Sequence, residues 1–190
     1  MKIKPGNKRG GVVLELGANE AQLPSGIRPE ALALKRILVP VDFSECSRKA
    51  LQYALAFGKQ FGAGLVLIHV VQPYVPVPEM AALDTQLIIV RMREAAEGEL
   101  AQWRRSIADD VTVKTQLRVG RPHHEIVNAA DELEADLILM STHGRTGLGR
   151  ALLGSTAEHV TRYAHCPVLI VREHEREFVK TNARSKAARR

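Results

Sequence analysis

The clearest chemical potential in this chain lies in one segment: Ser141-Thr-His-Gly144-Arg-Thr-Gly-Leu-Gly-Arg-Ala-Leu-Leu-Gly154-Ser155-Thr156. Gly144 and Gly154 carry no Cβ, so backbone N–H groups there can approach an anion closely. Ser155 and Thr156 open a helical pattern. Free amides and the helix dipole at such an end favour negative charge by roughly 0.3–1 kcal/mol at exposed sites. Their hydroxyls can donate as well, and Arg145 and Arg150 add positive charge. The chemistry is that of a phosphate grip. The same residues also suit a flexible connector capped by Ser155, and spacing alone leaves both readings open. The segment has neither a Gly-x-Gly-x-x-Gly run nor the Gly-Lys-Ser/Thr of a P-loop. A second candidate is Asp42, at the end of the apolar run Arg36-Ile-Leu-Val-Pro-Val41. Its carboxylate could face a ligand at the strand end, or cap the following helix together with Ser44; the two roles are compatible.

These residues need a scaffold, and the hydrophobic pattern supplies one. Arg36–Val41 reads as a first strand. Ser47–Phe61 reads as a helix, with Ala50, Leu51, Ala54, Leu55, Gly58 and Phe61 at helical spacing. Ser44 suits its N-cap and Gly62 a left-handed C-cap. Leu65–Val71 is a nearly unbroken apolar strand of the kind covered on both faces. Pro73, Pro76 and Pro78 make 72–80 a loop, and 81–107 is a long helix. Val111–Val119 alternates as a third strand, and Gly120-Arg121 turns the chain. Pro122 opens a helix to about Leu133, and Asp136–Ser141 is the fourth strand. Ser155–Ala164 is a helix and Pro167–Val171 the fifth strand.

Strands alternating with helices predict an α/β fold, a doubly wound parallel five-stranded sheet of flavodoxin-like or Rossmann-like type. The expected order, counting strands from Arg36, is 3-2-1-4-5. That order sets Asp42 and the glycine-rich segment face to face where the direction of strand addition reverses, the usual ligand position in open sheets. Residues 1–34 read as an extension dense in glycine and proline, in which Val12–Leu16 could add a short strand. Residues 35–172 form the domain, and 173–190 a basic tail.

Composition excludes several classes. With 45% hydrophobic and 25% charged residues the chain is globular rather than disordered. The longest nearly apolar run, Leu65–Val71, which His69 interrupts, falls far short of the ~20 residues that span a bilayer, so no membrane partner is expected. The basic stretch Met1–Gly11 has no apolar stretch behind it, so a secretory leader is not expected. Cys46 and Cys166 can build neither a disulfide framework nor a tetrathiolate zinc site, and a reduced, cytoplasmic setting is the expectation. The net charge of +6 sits wholly in the ends: six lysines and arginines against three acids in 1–35, seven against three in 172–190. Only 4% of residues are aromatic and none interleaves the tail's charges, so nucleic acid is not the expected partner.

Separated motifs then agree in order and spacing. Ile37-Leu-Val-Pro-Val-Asp42-Phe-Ser44, Leu67-Ile-His69-Val70, Gly120-Arg-Pro-His-His-Glu125-Ile, and Met140-Ser-Thr-His-Gly144-Arg-Thr-Gly with Leu153-Gly154-Ser155 together resemble the universal stress protein family. The resemblance covers about Lys35 to Arg172. Its nucleotide-binding branch carries G-x2-G-x9-G-[S/T]; the match here is Ser141-x2-Gly144-x9-Gly154-Ser155, with serine in place of the first glycine. Serine there costs roughly 1–2 kcal/mol if the position needs positive φ, and little if it needs only close approach.

The resemblance implies an ATP-binding stress-response module, with Mg2+ beside the phosphates and an unidentified protein partner. Asp42 would meet the ribose or base side. Val41 and Val70 would lie against adenine, Val70 through its backbone. Gly144, Gly154, Ser155 and Thr156 would hold the phosphates with Arg145 nearby, and the Ser141 hydroxyl could reach the ligand. His143 could contact phosphate or face solvent. The family's habit implies a homodimer through the last strand, Val168 to Val171. The alternatives are a slow ATP hydrolase or phosphoryl-transfer enzyme, and a nucleotide-free dimerisation module.

Other chemistry-bearing residues have plainer expectations. His69 reads as a hydrogen-bonded structural histidine, Trp103 as a helix-packing residue, and Cys46 and Cys166 as packed thiols. His123-His124 beside Glu125 suggests a metal cluster at first sight. Adjacent helical residues point ~100° apart, so one shared ion is awkward and no metal is expected there. No Ser-His-Asp order or paired carboxylates mark a dedicated general base.

Overall fold

The computed structural model describes residues 2–5, 12–15, 33–73, 85–108, 110–142, 153–172 and 179. The chain divides into two units, Met1–Leu32 and Ala33–Arg190. In the first, β1 (Lys2–Pro5) pairs antiparallel with β2 (Val12–Glu15). The sequence pattern suggested a strand at Val12 but not its partner, because Lys-Ile-Lys-Pro has too little apolar character to register as a strand.

In the second unit the strands are β3 (Arg36–Pro40), β4 (Gly64–Val71), β5 (Val113–Val119), β6 (Leu137–Ser141) and β7 (Val168–Val171). They form one parallel sheet in the order β5-β4-β3-β6-β7, which is the expected 3-2-1-4-5. The helices are α1 (Glu45–Phe61), α2 (Thr85–Ser106), α3 (Pro122–Glu132) and α4 (Ser155–Tyr163). Residues 74–84, where most of the proline loop and the expected start of α2 fall, lie outside the described residues, as does the tail 180–190.

Strand alternation sorts the core into two layers. Ile37, Val39, Leu65, Leu67 and Leu139 point toward α1 and α2, against Leu51, Leu100 and Trp103. Leu38, Val66, Ile68, Ile138 and Met140 point the other way, against Ile126, Ala129, Ala157 and Val160 of α3 and α4. Both faces of the inner strands are therefore dry, which is why their sequences read as apolar runs rather than alternations. β5 departs from its pattern. Val113 is buried, but Thr115 and Val119 are exposed. As an outer strand paired only with β4 among the described elements, it has apolar cover along part of its length.

The local signals for α1 hold. Ser44 is its N-cap and accepts from the Ser47 amide, and Gly62 closes it with φ +69°. Gly58 inside the helix has a different reason to be glycine. A Cβ there would stand 2.5 Å from Leu65 Cδ1, 2.9 Å from Val111 Cγ1 and 3.1 Å from the Ala63 carbonyl. The helix thus lies tight on the sheet. Gly58→Ala overpacks this contact and is expected to lower unfolding free energy by about 1–3 kcal/mol in urea denaturation; an unchanged midpoint would contradict the packing described.

Asp136 fastens the start of the sheet. Its Oδ2 accepts from the amides of Lys35 and Arg36, each at 2.8 Å, just ahead of β6. Those two hydrogen bonds hold its carboxyl below the ordinary carboxylate range. A depressed folded pKa contributes stability in full above the unfolded value of about 3.9 and loses it as pH falls through the folded value. The Asp136→Ala protein should be less stable at neutral pH and should lose less stability than the parent between about pH 5 and pH 3, followed by thermal melting across that range.

Candidate functional site

Strands leave the centre of the sheet in opposite directions: β4 and β5 to one side of β3, β6 and β7 to the other. The carboxyl ends of β3 and β6 therefore open onto a crevice that no crossover helix fills. A cleft of about 530 Å³ sits there. Seven residues singled out in the sequence line it: Val41 and Asp42 after β3, Val70 on β4, Ser141 at the end of β6, and Gly154, Ser155 and Thr156 at the start of α4. His143, Gly144 and Arg145, along with Arg150, lie outside the described residues.

The first wall is built by backbone. The Val41 amide donates to the Ile68 carbonyl at 2.8 Å, continuing the ladder one residue past β3. Asp42 turns into the cap of α1: its Oδ1 accepts from the Ser44 amide at 3.1 Å and from the Ser44 hydroxyl at 2.6 Å. Capping is thus a structural duty of Asp42, performed from a position on the cleft wall. On the opposite wall, Ser141 forms the last pair of β6 with Val171. Among the described non-glycine residues only Phe43 and Glu134 have positive φ, so Ser141 sits in ordinary strand conformation. The serine at the first glycine position costs no left-handed strain. Gly154 likewise has φ −61°; what it contributes is its missing side chain, since α4 has no side-chain cap over its first amides.

The remaining lining was not foreseen. Met92, Ala96 and Glu99 of α2 close one side, Pro122 and Ile126 of α3 another, and Met140 and Thr142 the floor. Helical periodicity in α2 marks which residues share a face but not that this face reaches the strand ends. Among the described residues the charged groups of the wall are Asp42 and Glu99, and no lysine or arginine lines it. The rest of its lining is mostly apolar, with the hydroxyls of Ser47, Ser141, Thr142, Ser155 and Thr156 and the side chains of His69 and Gln72 as its polar groups.

The profile of the Universal stress protein family matches residues 33–172. The chain belongs to the universal stress protein family. It is 38% identical over 158 residues to universal stress protein MJ0531 of Methanocaldococcus jannaschii, covering 82% of this chain and 92% of the relative. It is 32% identical over 151 residues to universal stress protein YxiE of Bacillus subtilis, covering 72% of this chain and 98% of that one. Among solved structures, hypothetical protein MJ0577 matches with a TM-score of 0.66 and 31% identity, over 76% of this chain and 100% of the other. Universal stress protein UspA from Lactobacillus plantarum matches at 0.64 and 29%, over 75% and 100%.

In this universal stress protein the loop after β3 holds a feature without any sequence signal. Phe43 has φ +65°, a conformation that favours glycine. The strain places its ring 4.4 Å from His69 and edge-on to Trp103 at 5.6 Å. The Arg48 guanidinium lies over Trp103 at 4.8 Å. His69 Nδ1 is 2.8 Å from the Val41 carbonyl. A carbonyl only accepts, so Nδ1 carries the proton, which is the structural role expected of this histidine. Cys166 behaves as a packed thiol, since burial raises its pKa and disfavours the thiolate.

The histidine pair differs from the expectation. His123 and His124 do not splay apart: their ring centroids are 4.6 Å apart, and His159 of α4 joins them at 4.2 and 5.3 Å. Burial, followed by the neighbouring His159, His124 and Arg121, lowers the pKa of His123. No pattern along the chain links position 159 to 123.

Because Phe43 is held at positive φ, glycine at that site relieves strain that alanine retains. Phe43→Gly and Phe43→Ala both lose the ring, yet the glycine variant should be the more stable by about 1 kcal/mol in chemical denaturation. The reverse ranking would mean that the loop does not hold this conformation.

Proposed function

We propose that the cleft binds an adenine nucleotide, ATP with Mg2+, and that this universal stress protein acts as a nucleotide-dependent regulatory module in the cytoplasm. The supporting observation is convergence. Residues far apart in the chain, at 41–42, 70, 141 and 154–156, line one cleft at the strand ends where the order reverses. Its volume falls within the roughly 300–1,000 Å³ typical of small-molecule sites.

The donor set fits such a ligand. The apolar wall of Val41, Ile68 and Val70 suits a base, and Asp42 suits ribose hydroxyls. The first amides of α4, with the Ser155 and Thr156 hydroxyls, suit phosphate. As the described wall supplies no cation, the positive charge facing a triphosphate would come from the α4 dipole, Arg145 and Mg2+, which binds through phosphate oxygens and water. Bound ATP, held between the strand ends and the start of α4, would alter the surface offered to a protein partner. A homodimer through β7, whose residues Val168–Ile170 are only half-buried, is part of the same reading.

Of the groups in the described wall that could serve as a base, Asp42 is engaged in capping, His69 is bonded to the Val41 carbonyl and Glu99 stands exposed on α2, so hydrolysis is expected to be slow at most. The nucleotide-free reading rested on the serine at 141, and the strand conformation there takes away its main support.

Titration calorimetry with Mg2+-ATP tests the site. Ser155→Ala should weaken binding about tenfold to a hundredfold, from the roughly 1.5–3 kcal/mol of a hydrogen bond to a charged group, and Gly144→Val should weaken it more. Unchanged affinity in both variants would overturn the assignment, as would a native mass spectrum and titration of the parent protein that both lack adenine nucleotide.

A further inference from the structure

We infer that His123, His124 and His159 form a binding site for a borderline divalent transition-metal ion, of which Zn2+ is the representative. The three side chains each offer a ring nitrogen, and these atoms all lie within 4.8 Å of one another. Tetrahedral zinc with bonds of about 2.0–2.1 Å needs ligand nitrogens about 3.3 Å apart. Side-chain rotation covers the difference: His124 is exposed, and His123 and His159 are half-buried.

The backbone that carries the rings is already set. α3 and α4 lie together over one face of the sheet, with Ala129, Ala130 and Ala157 as small residues in their shared layer. Such residues allow close approach, and His159 comes level with the first turn of α3. An ion there would tie the two helices together. All-nitrogen donors favour Zn2+, Co2+, Ni2+ or Cu2+ over Mg2+ or Ca2+, which take oxygen. Three imidazoles leave one position open to water, the composition of reactive rather than purely structural zinc centres. The site is distinct from the cleft, whose lining includes none of the three histidines. It therefore stands whether or not the cleft takes nucleotide.

The test is calorimetric titration of untagged, nucleotide-free protein with Zn2+, with Co2+ absorption as the report of coordination geometry. One Zn2+ per chain should bind, and Co2+ should give the visible bands of a nitrogen-ligated tetrahedral ion. His124→Gln and His159→Gln should each weaken Zn2+ binding by more than about tenfold, at least the loss seen on removing a supporting partner of a metal ligand. His165→Gln, which replaces the exposed histidine paired with Asp131, should leave affinity unchanged. Because His124 is exposed, its variant folds even if the His159 variant does not. The proposal is overturned by the absence of saturable binding up to about a millimolar Zn2+. It is equally overturned by affinity that survives the His124 substitution, or that is lost on replacing His143 or His174 instead.

Discussion

A strand buried on both faces and paired on both sides can offer a ligand only its end. β3 is such a strand. Ile37 and Val39 face one layer of helices, Leu38 faces the other, and β4 and β6 take up its two edges. Of its two ends, the carboxyl end is the one that opens onto the cleft. There the chain must leave the strand, turn, and start α1 without blocking the crevice beside β6. The cap, the strained phenylalanine, the position of His69 and the opening of the cleft are all consequences of how that exit is made.

The exit is built from short-range bonds with long-range results. The Asp42 carboxylate accepts from the amide of the cap residue Ser44, and the Ser44 hydroxyl accepts from the Ser47 amide in the first turn of α1. This keeps the helix start self-contained and leaves Val41 free to continue the ladder to β4. Its carbonyl in turn orients His69, whose ring supports Phe43. The left-handed conformation of Phe43 costs energy, and the ring contacts with His69 and Trp103 offset it. Across the crevice, the last residue of β6 is held by β7, and α4 begins at Gly154 with no side chain laid over its amides. One helix start is thus capped by side chains and the other is not.

Most of the scaffold was legible because its signals are local. A left-handed glycine after a helix, a serine before one, and an apolar run long enough for a two-faced strand each follow from sterics within a few residues. The same logic faltered where the outcome depended on remote partners. β1 carries almost no apolar signal and exists as a strand only by pairing with β2. β5 alternates in sequence but not in burial, because its cover depends on the reach of α2. The residues of α2 in the cleft were invisible for the same reason.

By itself the sequence determined the order of elements, the parallel sheet and its strand order, the caps of α1, and that Val41, Asp42, Val70, Ser141 and 154–156 would gather at the strand ends. Those are properties of periodicity, sterics and connectivity, written within short windows. Only the tertiary structure decided that Ser141 sits in an unstrained strand, that Phe43 is strained, and that His159 meets His123 and His124. Each is a relation between groups on different elements, set by how closely helices settle on the sheet, and packing distance has no spacing along a chain.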